Sequence, residues 1–160
     1  MKKLNGQQRV IIENVQPEVD GGLYPAKRTV GERVDVTADI FCDGHDHLRA
    51  HLLFCKEGEE QWQTVEMQHD VNDVWKASFL VPEKGYYNFT ILAWVDHLDT
   101  WYDGFRKKAN ANIDVSLELK EGAQYLKTLS KGKNAGLNEA AKKLGDSYDD
   151  AVAFVLSEEF

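Results

Sequence analysis

The chain has 160 residues and a formal charge of −8, from 19 Lys and Arg against 27 Asp and Glu. A domain near this length hides roughly 70% of its unfolded surface, so the 42% apolar content builds a core without disulfide or metal staples. Four Trp, six Tyr and seven Phe exclude a disordered chain, and a pI near 5.1 leaves no general footprint for phosphates, so no nucleic-acid partner is expected.

All three prolines, Pro17, Pro25 and Pro82, fall in the first 82 residues, where the apolar pattern has period two and predicts strands. Arg9 to Glu13 is a short β run, followed by a turn-forming stretch from Pro17 to Pro25 that contains Asp20, Gly21 and Gly22. Arg33 to Phe41 places Val34, Val36, Ala38 and Ile40 on one face, and Arg49 to Lys56 places Ala50, Leu52 and Phe54 inward. The loop from Asp43 reads as a tight connection that makes these two strands a hairpin. A short strand follows near Trp62 to Met67, then Val74 to Val81 with Trp75, Ala77, Phe79 and Val81 in register. Tyr86 to Val95, apolar on both faces toward its end, reads as a central strand. Trp101 to Arg106 and Ile113 to Leu119 complete seven or eight strands, a series that indicates an antiparallel β-sandwich over residues 1–119.

Near residue 120 the apolar positions move to helical spacing, and residues 120–160 read as three short helices. Tyr125, Leu126 and Leu129 form the first stripe. Leu137, Ala140, Ala141 and Leu144 form the second, stopped at Gly145. Tyr148, Ala151, Val152, Val155 and Leu156 form the third, which starts at an Asp146 or Ser147 cap. Helices this short need packing partners, so the segment reads as a truncated part of a larger helical bundle.

Cys42 and Cys55 are too few for a disulfide framework and suit a reducing, cytoplasmic setting. No apolar run approaches the roughly 20 residues of a spanning helix, and the polar start after Lys3 does not read as a signal peptide, so no membrane partner is expected. Cys42, Asp43, His45, Asp46, His47, His51 and Cys55 are the densest set of ligand-type residues. Their only close pair is His45 and His47 on a loop, short of the four convergent ligands that zinc requires, so neither a metal nor a cofactor is expected. No G-x-S-x-G elbow, P-loop or dinucleotide fingerprint is present, and no carboxylate pair stands out as an acid and base, so no catalytic residue is assigned. Trp75 and Trp94 sit inside strand patterns and read as core. Trp101 is the best placed for an exposed or interface position, where with Asp96, Asn88 or Lys84 it could stack on a sugar. Arg106, Lys107 and Lys108 read as a solvated basic strand end.

Several stretches occur together in order: PEVDGGLYPAKRTVGERV (17–34), DGHDHLRAHLLF (43–54), VWKASF (74–79), AWVDHLDTW (93–101) and DVSLELKEGAQYL (114–126). In combination they resemble the N-terminal region of bacterial α-1,4-glucan:maltose-1-phosphate maltosyltransferases, members of the α-amylase superfamily, glycoside hydrolase family 13. The resemblance implies an immunoglobulin-like sandwich followed by the start of a helical bundle. It also implies a parent enzyme whose separate (β/α)₈ barrel transfers maltosyl units to a growing α-1,4-glucan with retention, through a carboxylate nucleophile and a second carboxylate as acid and base. None of the barrel motifs lies in these residues. The expected role is therefore non-catalytic: packing on the barrel, homodimer assembly and placement of the acceptor glucan, with Tyr24, Lys27, Arg28, Trp94, Asp96 and Trp101 as interface or glucan contacts. The alternative is a free-standing glucan-binding module.

Overall fold

A computed structural model describes residues 9–158 and 160. The described chain is mainly β, with seven strands and four helices. It divides into two compact units between Asp96 and His97, earlier in the chain than the composition shift near residue 120.

The first unit contains two antiparallel sheets. One has the order β1-β2-β6-β5, from Val10–Gln16 (β1), Arg33–Cys42 (β2), Val74–Leu80 (β6) and Gln68–His69 (β5). The other has the order β4-β3-β7, from Gln63–Glu66 (β4), Leu48–Lys56 (β3) and Tyr87–Val95 (β7). The period-two patterns orient the strands as expected. Val34, Val36, Ala38 and Ile40 of β2 meet Ala50, Leu52 and Phe54 of β3 in one core, joined by Met67, Trp75, Phe79 and Val81. Phe54 stacks on Phe79 with ring centroids 4.4 Å apart, and the Trp75 indole N–H donates to the Ile40 carbonyl at 3.2 Å. Burying the polar end of Trp75 therefore leaves no orphaned donor.

Three sequence expectations are corrected here. First, β2 and β3 do not form a hairpin. They belong to opposite sheets, and the loop after Cys42 crosses between them, because each strand has only one apolar face and the two faces are best buried against each other. Second, the short strand expected near Trp62 forms as β4, but a further strand that the sequence did not suggest, β5, follows it directly. β4 pairs with β3 and β5 pairs with β6, and the switch occurs at Met67, whose N–H donates to the Ala50 carbonyl at 2.8 Å. Third, β7 lies at the edge of its sheet, and β3 is the central strand.

The second unit is entirely helical: α1 His97–Asn110, α2 Ser116–Ser130, α3 Ala135–Lys143 and α4 Tyr148–Val155. The strand expected at Trp101 to Arg106 is thus helix, and the one expected at Ile113 to Leu119 is three irregular residues followed by the first turn of α2. Leu98, Trp101, Tyr102, Phe105 and Ala109 recur at helical spacing and pack on the helical core, which overrides the β preference of their aromatic residues. Asp99 in the first turn of α1 and Lys107 and Lys108 in its last turn match the helix dipole. Val115, Leu119, Gly122 and Leu126 form the buried stripe leading into and along α2, whereas Leu129 is exposed. Asp114 accepts bonds from both the backbone N–H and the hydroxyl of Ser116 and so closes the start of α2. Asn134 caps α3 through the Leu137 N–H, and Ser147 caps α4 through the Asp150 N–H, as the spacing of the third helix anticipates.

The Trp101 indole lies against α2, where its N–H donates to the Glu118 carbonyl at 2.9 Å and its ring is 5.5 Å from that of Phe105. Gly122 is what makes room for it. A Cβ at that position would lie 2.2 Å from the indole.

Candidate functional site

The segment between β1 and β2 carries four exposed large apolar residues, Val19, Leu23, Tyr24 and Val30. Val19 and Tyr24 form a small antiparallel bridge around Asp20, Gly21 and Gly22, all three with positive φ, so the two glycines supply a turn that most side chains would strain. The turn projects Leu23, which is 78% exposed, and Tyr24, which is 61% exposed. Val19 and Val30 are also open to solvent. Lys27 and Arg28 stand on the same segment. Both are exposed, and Arg28 donates back to the Lys27 carbonyl at 2.8 Å. Sequence reasoning singled out Tyr24, Lys27 and Arg28, and the structure brings all three onto one loop.

Beneath the loop lies a groove of about 410 Å³. It is lined by the core residues Val34, Phe79 and Val81 together with Tyr24, Arg28 and Tyr86. Tyr86 is 64% exposed and was missed from the sequence, where it reads as the first residue of an ordinary strand. Nearby, the Lys56 ammonium bonds to Glu83 at 2.7 Å, and this bond raises the lysine above its ordinary range.

The other candidates sit elsewhere. Trp94 is half-buried on the outer face of β7, edge-on to His51 at 4.9 Å, beside the exposed Leu92. The Asp96 carboxylate accepts from Arg49 Nε at 2.6 Å, and the same guanidinium reaches Glu66 at 3.0 Å. Asp96 thus helps tie the end of β7 to β3. Trp101 belongs to the helical unit, where it is half-buried with its N–H bonded to the Glu118 carbonyl and its ring beside Phe105. The basic run at the end of α1 is also locally matched: Lys107 pairs with Asp103 at 2.5 Å, and Lys108 bonds to Glu118, which holds the Glu118 carboxyl below its ordinary range.

Among the described residues, no group of three or more His, Cys, Asp or Glu is arranged to hold a metal. Asp46 pairs with Arg9 at 2.8 Å, and Cys42 and Cys55 are free thiols on strands of different sheets. No described helix is long and apolar enough to cross a membrane.

Comparison with known proteins adds the following. A family model described as α-1,4-glucan:maltose-1-phosphate maltosyltransferase, domain N/S, matches residues 8–160. Curated proteins of that name are similar to the chain. The one from Chlorobaculum tepidum is 48% identical over 122 residues, covering 76% of this chain and 18% of the relative. The one from Cereibacter sphaeroides is 41% identical over 148 residues, covering 91% and 24%. The one from Myxococcus xanthus is 37% identical over 143 residues, covering 86% and 22%. The chain therefore spans about a fifth of the length of the curated relatives it matches.

Proposed function

The chain belongs to the family of α-1,4-glucan:maltose-1-phosphate maltosyltransferases, whose N/S domain it matches, and we propose that it serves such an enzyme as a non-catalytic assembly domain. In this reading the enzyme transfers maltosyl units from α-maltose 1-phosphate to a glycogen-like glucan, on a catalytic barrel outside these residues. The present residues pack against that barrel, help to form a homodimer and assist placement of the acceptor glucan.

The observation that carries the reading is the loop between β1 and β2. Val19, Leu23, Tyr24 and Val30 expose apolar surface on the segment that also carries Lys27 and Arg28, and Val19, Tyr24 and Arg28 line a groove that reaches Val34, Phe79 and Val81. Several exposed apolar residues on one segment mark a docking surface, and aromatic and Arg side chains are the usual anchors of one. The outer face of β7, with Leu92 and Trp94, offers a second apolar area for packing.

We read the β unit as immunoglobulin-like. The order β1-β2-β6-β5 reproduces the A-B-E-D sheet of that fold, and β3-β7 reproduces its C-F pair, with β4 beside β3. The two free cysteines fit a cytoplasmic enzyme.

Replacing both Lys27 and Arg28 with alanine in the full-length enzyme is expected to weaken dimerisation or turnover. Unchanged sedimentation together with unchanged turnover would retire the assembly role of this loop. The alternative, direct glucan binding by the domain itself, draws on Tyr24 and Tyr86, two exposed rings on one groove. Affinity electrophoresis in glycogen or amylose gels separates the two readings: retardation of the chain supports glucan binding, and free migration supports assembly.

A further inference from the structure

β7 is an edge strand with the composition of an interior one. Its nine residues, YNFTILAWV, contain no charge and no proline, and its pairing with β3 runs without a bulge from Tyr87 to Val95. The other edges are protected. β4 has four residues, β5 has two, and the pairing of β1 is broken by a register shift between Glu13 and Gln16. Soluble proteins blunt their sheet edges with shortness, charge, proline or bulges, because an open row of N–H and C=O groups templates pairing with another strand. β7 uses none of these devices.

The unpaired groups can be named. The Asp96 N–H donates to the His47 carbonyl, and the Tyr86 carbonyl accepts from the Glu57 N–H. Along the unbroken register, even-numbered residues therefore direct their backbone groups toward β3, and odd-numbered residues direct theirs toward the open edge. Tyr87, Phe89, Ile91, Ala93 and Val95 present this free ladder. The side chains of Tyr87, Phe89, Ile91 and Ala93 pack against the core yet stay only partly buried. The groove described above opens at the same edge, where Tyr87 and Phe89 meet Val15 and Pro17. Among the described residues after β7 every regular element is a helix, and helices spend their backbone groups internally. None of them can complete the ladder.

We propose that the open edge of β7 receives one further strand, antiparallel to it, from a segment of the parent enzyme outside these 160 residues, and that this strand roofs the groove between β1 and β7. The step rests on the reading of the chain as one domain of a larger enzyme. It specifies which surface the remainder must occupy and in what conformation. The added strand takes the place of the G strand beside C-F in an immunoglobulin-like sheet. The shares of the curated relatives covered leave ample chain to supply it. Because the partner is extended and bonds through its backbone, its affinity comes from the ladder and its specificity from side chains set into the groove.

Residue-resolved hydrogen–deuterium exchange on the full-length enzyme tests this directly. The amides of Tyr87, Phe89, Ile91, Ala93 and Val95 are expected to exchange at least about 100-fold more slowly than unstructured amides, alongside their even-numbered neighbours. Exchange of the five at near-intrinsic rates, while the even-numbered amides stay protected, would overturn the proposal. So would protection that appears only as enzyme concentration rises, because the occupant would then be a second copy. The readout depends neither on turnover nor on Lys27 and Arg28, so its failure is distinguishable from failure of the assembly reading.

Discussion

Replacing Gly122 with alanine should destabilise the helical unit, against the ordinary rule for helices. At an exposed helix interior, Gly→Ala gains about 1 kcal/mol. Here the new Cβ would lie 2.2 Å from Cζ2 of Trp101, 2.7 Å from Cε2 and 2.8 Å from Cη2. Unstrained carbon atoms sit about 3.5–4.0 Å apart, so the indole must retreat by more than about 1 Å. It has little freedom to do so. Its N–H is bonded to the Glu118 carbonyl at 2.9 Å, and its ring lies by the fully buried Phe105. Overpacking of this kind costs about 1–3 kcal/mol, and stretching the hydrogen bond adds about 1 kcal/mol. After the helix-propensity gain, the net loss is about 1–3 kcal/mol. For a chain of this size that lowers the melting temperature by about 2–4 °C per kcal/mol, readable by far-UV circular dichroism in the helical band. The control is the same substitution in a Trp101→Leu background, where it should be neutral or stabilising by up to about 1 kcal/mol. A stabilising Gly122→Ala in the wild-type chain, or an equal shift in both backgrounds, refutes the reasoning.

Three further outcomes are expected. Leu52→Ala, at a fully buried position between the sheets, should cost about 2–5 kcal/mol in urea denaturation, and a loss under 1 kcal/mol would mean that the core collapses around the cavity. Ser147→Ala should remove the cap of α4 and cost about 1 kcal/mol, with Ser147→Asp restoring most of it. An alanine variant as stable as wild type removes that role. The bond from Lys108 holds the folded-state pKa of Glu118 below its unfolded value, so its contribution is present above the unfolded pKa and is lost as pH falls through the folded one. Acidification below the ordinary carboxylate range should therefore loosen the helical unit, and Glu118→Gln should flatten that dependence. An acid titration of the variant with the wild-type slope contradicts the assignment.

The strands were legible wherever a single face is apolar. Val34, Val36, Ala38 and Ile40 alternate with polar residues, and the structure buries all four. Patterning of this kind states which face is inward but not which strand lies alongside, so β2 and β3, adjacent in sequence, were joined as a hairpin although they face each other across the core. α1 was misread because Trp101, Tyr102 and Phe105 favour strands as isolated residues, and only the recurrence of Leu98, Trp101, Phe105 and Ala109 over the full 14-residue helix reveals the period. The loop at Tyr24, Lys27 and Arg28 was visible because glycines, a proline and cations cluster there. Tyr86 was not, because the exposure of a strand-end aromatic depends on which neighbour covers it. β7 read as a central strand and lies at an edge, a mismatch between local composition and position that points to a missing neighbour.

Two sheets that touch only through side chains can in principle glide over one another. Here the backbone crosses from one to the other at Met67, between Glu66 paired to β3 and Gln68 paired to β6. This crossing acts as a stitch through the sandwich. The Met67 N–H is fastened to the Ala50 carbonyl and its side chain is 2% exposed in the core, so the crossing is anchored by backbone and by packing alike. The softness of the methionine side chain, which adapts to small changes of shape, lets the stitch hold while the surrounding core adjusts.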